Sequence, residues 1–181
     1  SQTGSFRTAP DDTTARSVPF VFAGDLGGQR YCRNTTTGYA IFTAMEALQP
    51  DFFVANGDLI YADGDCPAEG PDGPGGWENI PGDFPSIGDA SVNWQNPEQV
   101  HDVYAKHWQY NLADPAYQSF RRNVPVYAQW DDHEVINDFG APWLFWPANP
   151  YRPGFPNLVT MGKKALFDYN PLPGSGKASD R

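Results

Sequence analysis

An α/β fold is predicted by three observations. Short apolar runs rich in β-branched and aromatic residues alternate with helical patterns, and each run ends in a carboxylate. The chain of 181 residues suits one domain. Val18 to Ala23 (VPFVFA) reads as a buried strand ending in Gly24-Asp25-Leu26-Gly27-Gly28. A helix is expected from Thr37 to Leu48, because Tyr39, Phe42, Met45 and Leu48 recur at helical spacing; Thr36 or Thr37 would cap it. Asp51 to Ala55 (DFFVA) is a second buried strand, running into Asn56-Gly57-Asp58-Leu59-Ile60-Tyr61. Strand, helix and strand make a βαβ unit with parallel pairing and a right-handed crossover. Residues 63–97 hold 13 Gly or Pro in 35 positions, and Trp77, Phe84 and Trp94 would pin this long loop. Glu98 to Asn111 is a helix with Val100, Tyr104 and Trp108 on one face. Asp114-Pro115 opens another through Phe120, with Asp as N-cap and Pro at the first position. Val124 to Trp130 is the third strand, ending in Asp131-Asp132-His133-Glu134, and Asn157 to Tyr169 is the last helix. Residues 1–16 read as a tail or the end of a preceding domain, in which Phe6-Arg7-Thr8-Ala9-Pro10 looks like the tail of a strand. Residues 17–172 form the main unit and 173–181 a linker or cleaved end.

Composition narrows the function. Acidic residues outnumber basic ones 22 to 12, a formal net charge of −10, with no basic run longer than two. Nucleic-acid binding draws on Lys and Arg to displace phosphate counterions, so that partner is set aside. Many carboxylates in a loop-rich chain suit hard cations. No apolar stretch is long enough to cross a bilayer. The chain starts at Ser1 without Met, the mark of a processed, trimmed or excerpted polypeptide. Cys32 and Cys66 both fall in polar loops, where a disulfide in a secreted or periplasmic protein is expected; two free thiols, or one cysteine as metal ligand, are the alternatives. Asn34-Thr35-Thr36 fits a glycosylation sequon.

The chemistry concentrates at the strand ends. In a parallel sheet with strands about 4.8 Å apart, Asp25, Asp58 and the Asp131-Asp132-His133 group would lie side by side at the carboxyl edge. Crowded carboxylates repel, and cations remove that cost. Two ions bridged by one carboxylate, roughly 3.5–4 Å apart, are the natural solution. Tyr61, three residues after Asp58, can fold back as a phenolate ligand, and phenolate oxygen favours a hard, highly charged ion such as Fe(III) over Ca²⁺ alone. His101 and His107 are six apart on a helix and read as structural or solvated. Gly174-Ser175-Gly176-Lys177 is no P-loop, and no G-x-S-x-G elbow occurs.

These blocks carry a resemblance. Gly24-Asp25-Leu26-Gly27 and Gly57-Asp58-Leu59-Ile60-Tyr61 resemble the GDxG and GDxxY blocks of purple acid phosphatases and other calcineurin-like metallophosphoesterases. Phe6-Arg7-Thr8-Ala9-Pro10, Tyr104 to Phe120 and Trp130-Asp131-Asp132-His133-Glu134 are similar to the alkaline phosphatase D (PhoD-like) family, which includes phosphodiesterase and phospholipase D members using iron and calcium. The resemblance spans most of residues 5–172 and implies part of a calcineurin-like β-sandwich flanked by helices, with metal ligands at the carboxyl ends of strands. It implies that Asp25 ligates the iron, Asp58 bridges both metals, Tyr61 binds the iron and Asp132 the second metal. His133 would be the catalytic acid near phosphate, and Asn137 a substrate contact. Asp25 stands where many relatives carry a cysteine ligand, which points to a purple-acid-phosphatase-like iron site. The later, final His-containing blocks of the superfamily are absent, so the chain resembles the amino-terminal half of the catalytic domain, completed by a carboxyl-terminal half as a separate chain or missing segment. The expected activity is metal-dependent phosphoric ester hydrolysis (of a monoester, a diester or, in phospholipase D fashion, a phospholipid) at a binuclear centre of Fe(III) with Ca, Zn or Mn, through a metal-activated hydroxide. Trp77, Trp143, Phe145 and Trp146 would line an apolar mouth for a lipid, or simply pack their loops. The alternative function is a non-catalytic, exported, Ca-stabilised binding module.

Overall fold

A computed structural model describes residues 3–6, 8, 10–139 and 154–172. Three strands, β1 (Phe20–Ala23), β2 (Phe52–Asn56) and β3 (Val126–Gln129), form one parallel sheet in the order β1-β2-β3. Val21 and Val126 flank Phe53 in register, and Phe22 and Tyr127 flank Val54. Helix α1 (Ala40–Ala47) connects β1 to β2, while α2 (Pro97–Leu112) and α3 (Pro115–Asn123) precede β3. Helix α4 (Phe155–Tyr169) follows and packs on α2. Among the described residues, no helix is long and apolar enough to cross a membrane.

Period-two alternation divides the sheet into two faces. Phe53 and Ala55 point into the core, under α1 and α3. Phe42 of α1 stacks on Tyr117 at 4.1 Å between ring centroids and meets Phe53 and Phe120 edge-on or tilted at 6.4 and 5.4 Å. Truncating so well surrounded a ring removes its transfer energy and leaves a cavity, so Phe42→Ala is expected to cost about 3–5 kcal/mol by urea unfolding. A loss under about 1 kcal/mol would show that the site collapses freely.

The opposite face departs from the expectation of fully buried strands. Phe20, Phe22 and Tyr127 are 53%, 67% and 63% exposed. Phe20 stacks on Phe52 at 5.1 Å and Phe52 meets Tyr127 edge-on at 5.4 Å, so the aromatics form a continuous open layer. Parallel sheets are ordinarily covered on both sides.

Local chemistry explains where elements begin. Asn96 caps α2 by accepting from the Glu98 and Gln99 amides, ahead of Pro97 in the first turn. The expected Asp114 cap of α3 accepts from Tyr117 N at 2.9 Å. Its other oxygen accepts from Tyr39 N at 3.1 Å, so one buried carboxylate serves the starts of both α1 and α3. A Cβ on Gly38 would lie only 2.2 Å from that oxygen. Neither Thr36 nor Thr37 caps α1. Their amides donate to Asn34 Oδ1 in a side-chain turn, and the helix starts three residues later than expected. Asn34 Nδ2 is itself bonded to Glu78 O, so the sequon's acceptor nitrogen is occupied. Leu48 falls beyond α1 and is exposed. Residues 3–6 form no strand; Ser5 N donates to Arg122 O. Arg7, Ala9, Trp143, Phe145, Trp146 and residues 173–181 lie outside the described residues.

The long segment before α2 is ordered by its aromatics. Trp94 Nε1 donates to Ile87 O, Trp77 Nε1 to Cys32 O, and Phe84 packs on His107 at 4.0 Å. Cys32 and Cys66 form a disulfide closing 34 residues, which joins the loop after β1 to the loop after β2.

Candidate metal centre at the carboxyl edge of the sheet

Each strand delivers its acidic residue through a sharp turn. Asp25 and Asp58 both adopt left-handed backbone, φ 58° and 52°. Such a conformation costs a non-glycine residue about 1–3 kcal/mol, least for Asp, Asn and His, and clusters at functional sites. Gly57, φ 84°, is required by both conformation and space: a Cβ there would lie 2.5 Å from the Asp131 Cβ. Leu26 N donates to Asp58 O at 2.7 Å, and Ala62 N to His133 O at 3.0 Å, so the three loops are tied by their own backbones.

Side chains then converge. Asp58, Asp132 and His133 each offer a ligand atom within 4.8 Å of the other two. Asp58 accepts from His133 N at 3.3 Å. Its carboxyl stands above the ordinary range: burial raises it most, the His133 ring and amide act against this, and Asp132 and Asp131 push it up again. A cation among these donors removes that cost, and two carboxylates with an imidazole are a fitting donor set for a divalent or trivalent ion.

Tyr61 joins Asp25 to this group. Its hydroxyl donates to Asp25 Oδ1 at 2.8 Å and lies 3.5 Å from Asp58 Oδ2. Burial, then the Asp25 hydrogen bond and both charges, raise the phenol well above its usual value, so it is a neutral donor unless a strongly charged ion faces it. The Tyr61 ring stacks on the His133 ring at 4.0 Å, and a Cβ on Gly28 would meet it at 2.5 Å.

His133 is oriented by a residue the sequence reading did not single out. Asp63 Oδ1 lies 2.6 Å from His133 Nδ1, which places the ring proton on Nδ1 and leaves Nε2 toward other partners. Burial disfavours the charged ring, but the bond and charge of Asp63, with Asp58 and Asp132 beyond, outweigh it and raise the imidazole above its ordinary value. Asp63 was readable as the next carboxylate after Tyr61 in Tyr61-Ala62-Asp63.

Glu134 was also missed, though it follows His133 directly. Its side chain is fully buried. Oε1 accepts from Leu59 N at 2.5 Å and Ile60 N at 3.4 Å, and Oε2 from Asp58 N at 3.1 Å and Asp131 N at 2.7 Å. Burial lifts this carboxyl to about 7, against the pull of its backbone donors.

Asn137 is not brought into this group. It is exposed, and its amide donates to Asp138 Oδ2 at 2.8 Å, while Asp138 N donates to Asp132 Oδ2. The other histidines stay outside as expected: His107 is buried against Val103 O, and His101 meets Asp168 at 2.8 Å near the surface.

The solved structure of PhoD resembles the chain with a TM-score of 0.53 and 21% sequence identity, over 87% of this chain and 26% of that one. The chain therefore shares part of the fold of that protein and spans about a quarter of its length. No curated protein matches the chain. The family model described as PhoD-like phosphatase matches residues 20–181, which covers all three strand-end turns, and the chain belongs to the PhoD-like phosphatase family.

Proposed function

We propose that this chain carries part of the active site of a metal-dependent phosphoric ester hydrolase. The observation that carries the reading is the convergence of Asp58, Asp132 and His133 within 4.8 Å at the sheet edge of a PhoD-like phosphatase chain. Asp25 and Tyr61 would hold an Fe(III)-type ion, Asp132 a divalent ion (Ca, Zn or Mn), and Asp58 both. Bound there, the ions supply Lewis acidity toward the phosphoryl oxygens and make a water acidic enough to attack phosphorus. His133 holds a proton on Nε2 for the leaving alkoxide, while Asp63 keeps the ring oriented and stabilises its charge. Asn137 would reach substrate only after releasing Asp138. A diester, a monoester or a phospholipid headgroup all fit this chemistry.

The site is completed by further polypeptide of the same domain. The open aromatic layer of Phe20, Phe22, Phe52 and Tyr127 is the surface it would cover, and the chain spans 26% of the PhoD structure it resembles. The disulfide supports export to a secreted or periplasmic location, since such bonds persist in oxidising compartments.

The test uses the full-length protein and a chromogenic phosphodiester. Turnover is expected, chelation should abolish it, and the iron-loaded protein should show a visible tyrosinate band that Tyr61→Phe removes. A colourless, iron-free and fully active protein overturns the iron assignment. Calcium binding without turnover of any phosphoester overturns the hydrolase reading.

A further inference from the structure

We infer that Glu134 is a positioning residue of the metal centre, resting on the reading that Asp58 and Asp132 hold a cation beside His133. It touches no ligand atom of that group. Both of its oxygens are spent on backbone amides, two on each. Three of those amides, Asp58, Leu59 and Ile60, belong to the turn after β2; the fourth, Asp131, belongs to the turn after β3. One buried carboxylate therefore bolts together the two turns from which Asp58 and the Asp132–His133 pair project. The amide of Asp58 is held at the residue whose backbone is left-handed, φ 52°, a conformation that persists only where the surroundings impose it.

Its own surroundings are equally fixed. A Cβ on Gly162 of α4 would lie 2.7 Å from Glu134 O, so the helix backbone presses on this residue directly. Tyr104 Oη donates to Val135 O at 2.9 Å, and the Val135 and Ile136 amides close back on Asp132 O. The Glu134 clamp thus sets the separation of Asp58 from Asp132 and His133 before any ion arrives. An ion that finds its donors already in place does not have to order them, and affinity rises accordingly. No shorter or neutral side chain reproduces this. Gln would present an NH₂ group to two N–H donors, and Asp would fall a methylene short.

The experiment measures Mn²⁺ binding to the metal-free, full-length protein by calorimetry, with amide hydrogen exchange at Asp58, Leu59 and Asp131. Glu134→Gln is expected to weaken Mn²⁺ binding by roughly 10–100-fold, the usual effect of a supporting residue on metal affinity. The three amides should exchange faster while those of α1 and α3 keep their protection. Glu134→Asp should fall between wild type and Glu134→Gln in both readouts, and it carries the test if the Gln variant does not fold. Unchanged Mn²⁺ affinity and unchanged turn exchange in a variant that is merely less stable overturn the inference. Wild-type protein that binds no Mn²⁺ overturns instead the metal reading on which it rests.

Discussion

Asp58→Asn is expected to abolish phosphodiester hydrolysis and the binding of at least one metal ion, while leaving the metal-free protein as stable as wild type or more so. Asp58 is the residue on which several contacts of the centre meet: His133 N, the Tyr61 hydroxyl and the compact group with Asp132 and His133. Its carboxyl is raised by burial and by facing carboxylates, so without metal the charge opposes folding, and removing it relieves repulsion. Asn also tolerates the left-handed backbone at this position. The loss of turnover should exceed the roughly 10–100-fold effect of an outer supporting residue. Metal content, melting temperature and kcat/KM together check this. Retained turnover with two bound ions would remove Asp58 from the site, and a lowered melting temperature of the apoprotein would refute the repulsion argument.

His133→Asn should lower kcat by about 10²–10⁴-fold, the range for loss of a positioned general acid. The loss should be smaller for esters with very acidic leaving alcohols, which depart without a proton. Asp63→Asn separates orientation from proton delivery. It leaves the imidazole present but removes the charge 2.6 Å from Nδ1. Since Asp63 raises the imidazole, the sign is fixed: the protonated ring is favoured at low pH, and its pKa falls when Asp63 is neutralised. The alkaline limb of the kcat profile should therefore move to lower pH in Asp63→Asn. A limb that stays in place would show that His133 is not the titrating acid. Loss of metal in His133→Asn would instead make the imidazole a ligand.

Most of the fold was legible because each strand is short, apolar and followed by an aspartate, and α2 and α3 carry their own start signals. Asp114-Pro115 and Asn96-Pro97 mark helix starts by chemistry that needs no tertiary partner. The start of α1 was misplaced because Asn34 takes the threonine amides, a competition invisible in a linear pattern. The open aromatic face was not legible either. Strand composition reports that a face is apolar, not whether anything described lies over it. At the site, the strand-end rule brought Asp25, Asp58, Tyr61, Asp132 and His133 together. It did not single out Asp63 and Glu134, whose roles depend on contacts across 70 and 76 residues. Asn137 illustrates the reverse: a position carried over by likeness, yet turned to its neighbour Asp138.

The left-handed backbone at Asp25 and Asp58 has a consequence for how such a centre can change. Few residue types settle in that conformation: glycine, asparagine, aspartate and histidine do so most readily. At Asp58, selection for a different ion must therefore draw on that small alphabet. Otherwise it must recast the turns themselves, together with the close packing of Gly57 on Asp131. The turns act as a filter on ligand replacement, so the centre is easier to silence by a single substitution than to retune.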